Sequence, residues 1–257
     1  DWWAEPVDKE AVDWYFMGYG HEYRKAVSDY AKIGGHMNMP PLYTLGYWYS
    51  KYQKYTQQEF MDIVNEIKSH DIPLDVMIFD MDWHDRDWTG WTWDKTVIPE
   101  PEKLIKFMHD NKLRVALNLH PADGVDNDEE FFSDMTRDLG LPASTKNIPW
   151  NLEDSTFYKV MFKDILRKRE AQGVDFWWLD WQQHLQSKNV KGLGETFWHN
   201  HVFYNDMRVN RPDRRPVIFH RWGGLGSHRY PLGFSGDSFT TFGTLAFQPC
   251  FTATASN

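Results

Sequence analysis

Along this chain, short apolar runs repeatedly end in side chains able to do acid–base or nucleophilic chemistry. LDVMIFDMD ends in Asp80-Met81-Asp82, RVALNLH in Asn118-Leu119-His120, DFWWLD in Asp180, PVIFHR in His220-Arg221 and GFSGD in Asp237. A strand-end Asp also serves as an ordinary cap for the next helix or turn, but surface acids placed independently would scatter over helices and loops. Two carboxyl groups on one rim can cleave an acetal: one attacks the anomeric carbon while the other protonates the leaving oxygen. A retaining reaction of this kind holds the two carboxyls about 5–5.5 Å apart. The remaining Asp, His and Arg side chains would grip sugar hydroxyls through charge-assisted hydrogen bonds. This chemistry needs neither a metal nor a cofactor.

The elements that must position these groups alternate. Strand-like runs over 45–50, 74–82, 114–120, 175–180, 216–221 and 233–237 are separated by helical periods over 56–70, 99–112, 155–172 and 195–209, with another helix over 240–251. Pro99 and Gly173 mark a helix start and a helix stop. Such alternation predicts parallel βα units. In a (β/α)8 TIM barrel the strand ends would share the C-terminal rim, where such folds carry their chemistry. About six units are present where the closed barrel has eight, so the chain reads as a C-terminally incomplete barrel cut from a longer protein. An open doubly wound sheet is the rival architecture. The stretch 123–150 is polar and acidic, and reads as a loop excursion from the rim.

Composition narrows the function classes. The net charge of −9 opposes a nucleic-acid partner, and no apolar run is long enough for a membrane span. The lone Cys250 excludes an internal disulfide framework and a Cys-rich zinc site. Neither compartment nor oligomeric state is specified. The 14 Trp residues suit either a large core or the flat apolar faces of sugar rings. The acidic cluster Asp80, Asp82, His84, Asp85 and Asp87, joined by His120, offers a metal-dependent hydrolase as an alternative chemistry. No G-x-S-x-G elbow, P-loop or dinucleotide fingerprint is present.

More specific than any of these is a set of segments in order. GVDFWWLDWQQ (173–183) resembles the nucleophile segment of glycoside hydrolase family 31, and HRWGGLGSHRYPLGFSGD (220–237) resembles its acid/base segment. PLDVMIFDMDW (73–83) and PPLYTLGYWYSKYQKY (40–55) are similar to two earlier strands of that family's barrel. The resemblance implies that Asp180 is the nucleophile and Asp237 the general acid and base. It implies that Asp80 and Arg221 bind sugar hydroxyls, and that His120, Trp83 and Trp178 line the pocket. Residues 1–20 would close an N-terminal β-sandwich, 21–39 would form a linking helix, and 40–257 would be the barrel. The function implied is a retaining exo-α-glycosidase acting on oligosaccharides or glycoconjugates, an α-glucosidase by default. Trp181-Gln182-Gln183 and Ser238 depart from the family's usual residues beside the two acids. These departures keep α-galactosidase and α-N-acetylgalactosaminidase as alternatives. A non-catalytic carbohydrate-binding barrel is the alternative of another class.

Overall fold

The computed structural model describes residues 15–86, 89–180, 187–191, 193–221 and 226–255. It divides into two compact units, one formed by Asp1–Pro40 with Leu185–Asn257 and the other by Pro41–His184. In the first of these, α1 (Tyr23–Gly34) falls within the stretch 21–39 that was expected to be helical. The proposed sandwich edge falls largely on 1–14, outside the described residues.

The unit Pro41–His184 is built from parallel strands and the helices between them. The strands β1 (Trp48–Tyr49), β2 (Val76–Phe79), β3 (Arg114–Leu119) and β6 (Phe176–Leu179) lie side by side in parallel. Every residue of β2 and β6 is buried. Strands covered on both faces read as continuous apolar runs rather than alternating ones. Between β1 and β2 lies α2 (Gln57–Ser69), started by Thr56 and Glu59 in a reciprocal capping box. Its Phe60 and Val64, one turn apart, are its buried stripe. Between β2 and β3, α3 (Pro101–Asp110) begins with Pro in its first turn and buries Pro101, Leu104, Ile105 and Met108.

Two parts of this unit differ from the sequence reading. The excursion over 123–150 is structured. It contains a short antiparallel pair, β4 (Val125–Asp126) with β5 (Asn147–Ile148), and between them α4 (Phe132–Asp138). Strands of two residues carry no readable period, so its polar composition hid them. Gly124 makes the close approach possible: its φ is +80°, and a Cβ there would sit 2.2 Å from Ile148 O. The helix expected over 155–172 is in fact α5 (Ser155–Met161) and α6 (Arg167–Ala171), joined by a π-helical turn at Phe162–Leu166.

The tryptophans of this unit go mainly into the core. Trp83, Trp91, Trp93, Trp150, Trp177 and Trp178 are all buried. Trp83 and Trp93 meet edge to face at 4.9 Å, and Trp91 stacks on Trp150 at 5.7 Å. The Arg169 guanidinium, 1% exposed, donates to Trp91 O and to Glu130 Oε2 (2.8 Å), tying the excursion to α6. At the N-terminal ends of the strands, Asp175 accepts from His109 Nε2 (2.8 Å), Arg114 Nη1 (3.0 Å) and the Val115 amide (2.9 Å).

In the other unit, α7 (Glu195–Asn210) is followed by β7 (Phe219–Arg221) and β8 (Gly233–Phe234), which pair in parallel, and by α8 (Phe242–Ala255). β7 starts later than expected, and the Val217 amide ahead of it donates to Met207 Sδ at 3.1 Å. Among the described residues no helix is long and apolar enough to cross a membrane.

Candidate functional site

Side chains alternate along a strand, so residues two apart share a face. The register of β2, β3 and β6 therefore fixes which polar groups meet. Phe79 is level with Leu117, and Leu119 with Leu179, which brings the residues following each strand to one C-terminal end. Asp80, Asn118, His120, Trp178 and Asp180 alternate with the outward Phe79, Leu117, Leu119 and Leu179.

The contacts bear this out. Asp180 is 4% exposed, and its amide donates to Leu119 O at 2.9 Å. Its carboxylate Oδ2 accepts from Asn118 Nδ2 at 2.9 Å, and His120 Nε2 lies 3.4 Å from the same oxygen. Asn118 is fully buried, and the carbonyl of its own peptide accepts from Trp83 Nε1 at 2.8 Å. Trp83 is thus 1% exposed, with its N–H fixing the strand that carries Asn118.

Asp80 completes this end. Burial pushes its carboxyl up to about 6; the negative charges of Asp180 and Asp82 push the same way, against the Met81 amide and His120. A carboxyl in this range changes protonation state under mildly acidic conditions. His84 is pushed the other way, down to about 4, chiefly by burial. It is therefore neutral near pH 7, with Nδ1–H donating to Arg86 O at 2.7 Å.

In the unit Asp1–Pro40 with Leu185–Asn257, β7 and β8 position a second acid. Arg221 ends β7 and Asp237 follows β8, with Arg221 Nη2 donating to Asp237 Oδ1 at 3.4 Å. The guanidinium also lies over the Phe234 ring, 4.8 Å from its centroid, so it is held from two sides. The Arg221 side chain is 16% exposed and that of Asp237 75%. Beneath them His220 is fully buried, and burial holds its pKa low. As a neutral ring it donates from Nε2 to Tyr230 O at 2.5 Å and accepts at Nδ1 from Asn200 Nδ2 at 3.0 Å. Asn200 also holds Arg221 O at 3.0 Å, which fixes the backbone at the end of β7.

The residues singled out from the sequence thus fall into two groups. Asp80, His120, Trp83, Trp178 and Asp180 belong to one unit, and Arg221 and Asp237 to the other. Trp178, 5% exposed, sits level with Asn118. Its neighbour Trp177 faces outward, with Nε1 donating to Glu170 on α6 at 3.2 Å. Asn118 stands in no motif of the sequence; its position two residues before His120, on the same face, is the signal. The described acids of the Asp80–Asp85 stretch do not gather into a group able to hold a metal ion, and Asp87 lies outside the described residues. Trp181, Gln182 and Gln183 also lie outside them.

The model of the glycosyl hydrolases family 31 TIM-barrel domain matches residues 37–256. The chain belongs to glycoside hydrolase family 31. The (β/α)8 barrel of that family is thereby its fold class. Among curated family 31 relatives, the chain is 27% identical to an alpha-xylosidase of Saccharolobus solfataricus, over 96% of its own length and 35% of the relative's. It is 31% identical to the alpha-xylosidase XylQ of Lactiplantibacillus pentosus, over 77% of the chain and 27% of that protein. It is also 31% identical to alpha-glucosidase 2 of Bacillus thermoamyloliquefaciens, over 89% and 33%. The chain therefore spans about a third of the length of these relatives. Among solved structures, a GH31 alpha-xylosidase from a soil metagenome, complexed with xylose, superposes with a TM-score of 0.63 at 22% identity, covering 84% of the chain and 35% of the other. A family 31 dextranase of Flavobacterium johnsoniae, complexed with glucose, gives 0.69 at 19% identity, covering 86% and 30%.

Proposed function

We propose that this chain carries the catalytic carboxylates of a retaining exo-α-glycosidase that removes terminal α-linked sugars from oligosaccharides or glycoconjugates. The observation that carries this reading is Asp180. It is a nearly buried carboxylate at the C-terminal end of a parallel strand, held at one oxygen by Asn118 with His120 alongside. Active sites of barrels of this class sit at that end of the strands.

In this reading the Asp180 carboxylate attacks the anomeric carbon as the bond to the leaving oxygen breaks, and Asp237 gives that oxygen its proton. Water then attacks the glycosyl-enzyme, losing its proton to Asp237, and the sugar leaves with its configuration retained. Asp80 and His120 hold sugar hydroxyls. Arg221 orients Asp237 and binds a hydroxyl. Trp178 lines the pocket, while Trp83 acts through the strand it braces. The sugar is α-glucose by default. α-Xylose is the second reading, favoured by the relatives named alpha-xylosidase.

The test uses the full-length protein with p-nitrophenyl α-glucoside, α-xyloside, α-galactoside and α-N-acetylgalactosaminide. Turnover of the glucoside or xyloside is expected, with the α-anomer formed first by NMR and with azide restoring part of the activity of Asp180→Ala. Preference for the galactoside or N-acetylgalactosaminide would redirect the sugar assignment. Turnover of none of them, or formation of the inverted anomer, would overturn the reading.

A further inference from the structure

Asn118 is a fully buried amide in the interior of β3, and β3 is otherwise apolar from Val115 to Leu119. A buried amide in such a strand has to be repaid by hydrogen bonds. Its Nδ2 has one strong partner, the Asp180 Oδ2 atom at 2.9 Å. Its Oδ1 has no hydrogen-bond partner among the described residues. If the side chain served only to satisfy itself, a hydrophobic residue of the same size would serve the strand better. Turned the other way, the amide would set Oδ1 against a carboxylate oxygen, two acceptors face to face. The ionised carboxylate therefore dictates the amide's orientation, and the amide in turn fixes the carboxylate. The Trp83 indole reinforces this from behind, by holding Asn118 O at 2.8 Å from a site that is 1% exposed. The hold falls on Oδ2, the oxygen that His120 Nε2 also approaches at 3.4 Å.

We infer that Asn118 is the positioning residue of the Asp180 nucleophile: braced by Trp83, it pins Oδ2 through its buried amide and so sets the orientation from which the carboxylate attacks. This deepens the glycosidase reading and rests on it. The carboxylate forms the bond to the anomeric carbon as the bond to the leaving oxygen breaks, and the Asn118 amide holds it in place through the step. The donor also favours the charged carboxylate over its acid. Among the described residues, Asp80 from the end of β2 interacts by like charge with Asp180, and His120 Nε2 from the end of β3 lies 3.4 Å from its Oδ2; Asp82 acts by like charge on Asp80, and His84 interacts with His120. Without the Asn118 donor the balance tips toward the acid.

The experiment compares the full-length wild type with Asn118→Leu, which keeps the volume and removes the donor, and with Asn118→His, which restores an N–H. Each is assayed across pH on whichever p-nitrophenyl α-glycoside the wild type turns over, alongside thermal unfolding. Asn118→Leu is expected to unfold at or above the wild-type temperature. Its kcat should fall roughly 10- to 100-fold, the range of a hydrogen bond to a charged group, with KM little changed. The acid limb of kcat/KM should move up by about one pH unit, and Asn118→His should recover part of both. A Leu variant with wild-type kcat and an unmoved acid limb, in a protein that Asp180→Ala inactivates, overturns the inference and leaves the glycosidase reading standing. A loss of kcat that tracks lost folding, with the acid limb in place, overturns it as well. If Asp180→Ala retains wild-type rates, the glycosidase reading itself fails.

Discussion

Asp175 leads into β6 and Asp80 follows β2, so these two aspartates occupy opposite ends of the same parallel strands. Burial pushes both carboxyls up, yet the outcomes differ. At the N-terminal end, the His109 ring, the Val115 amide and the Arg114 charge more than offset burial and hold Asp175 below its usual value. At the C-terminal end, burial of Asp80 is opposed only by the Met81 amide and the charge of His120, while the charges of Asp180 and Asp82 add to it, and it rises to about 6. What separates the two ends is the supply of donors relative to carboxylates. One end is compensated and contributes stability. The other is left electrostatically crowded, which costs stability, the arrangement expected where the proposed chemistry would take place.

The sharpest test of this division is Asp180→Asn. It should lower kcat/KM by at least about a thousandfold, while calorimetry shows a melting temperature unchanged or raised because a crowded charge has gone. Next, Asp175→Asn should leave kcat and KM nearly intact but reduce stability in urea unfolding by about 1–3 kcal/mol. That range sits below a fully buried pair because the Arg114 side chain is 46% exposed and solvent screens it. The two ends should also differ in the sign of their pH dependence. For Asp80, the folded state keeps its proton longer than the unfolded chain, so its contribution to stability falls as pH rises from about 4 to about 6. For Asp175 the contribution is complete above the unfolded value and is lost as pH falls through the folded one. Stability measured from pH 3 to 7 should lose the first slope in Asp80→Asn and the second in Asp175→Asn. As the smallest effect, Lys106→Ala removes the exposed one-turn pair with Asp110 on α3 and should change stability by less than about 0.5 kcal/mol by the same unfolding assay. A larger loss would mean that exposed pairs contribute to this fold as much as the compensated end does.

The sequence made the strand ends legible because each parallel strand is an uninterrupted apolar run, and the first polar residue after it stands out. A proline at the start did the same for α3, although the helix begins at Pro101 rather than at Pro99; for α2 the apolar spacing was the signal, and the Thr56–Glu59 capping box emerged only in the structure. Asn118 was harder to read. A polar residue inside a buried strand looks like noise until its alternation with His120 and its register against Trp178 show that it shares a face with Asp180. The tryptophans misled in another way. Aromatic surface serves a core and a sugar equally well, and only packing partners, such as Trp93 against Trp83, distinguish the two uses. The structure within 123–150 escaped because two-residue strands depend on tertiary contacts such as the Gly124 approach to Ile148, which no local pattern records.

The wide turn at Phe162–Leu166 has a consequence for Arg169. In an unbroken α-helix, twelve residues from Phe157 to Arg169 would leave the two roughly 120° apart around the axis. A π-helical turn absorbs one surplus residue, and eleven effective steps bring them to within roughly 20° of one another. Phe157 and Arg169 can then both point inward, one to the apolar core and the other to the Trp91 carbonyl. Removing a single residue from that turn would regularise the helix and still leave the guanidinium on the Trp91 carbonyl, whereas winding all the present residues into an unbroken α-helix would swing it away and loosen the excursion over 123–150 without altering a single side chain within it.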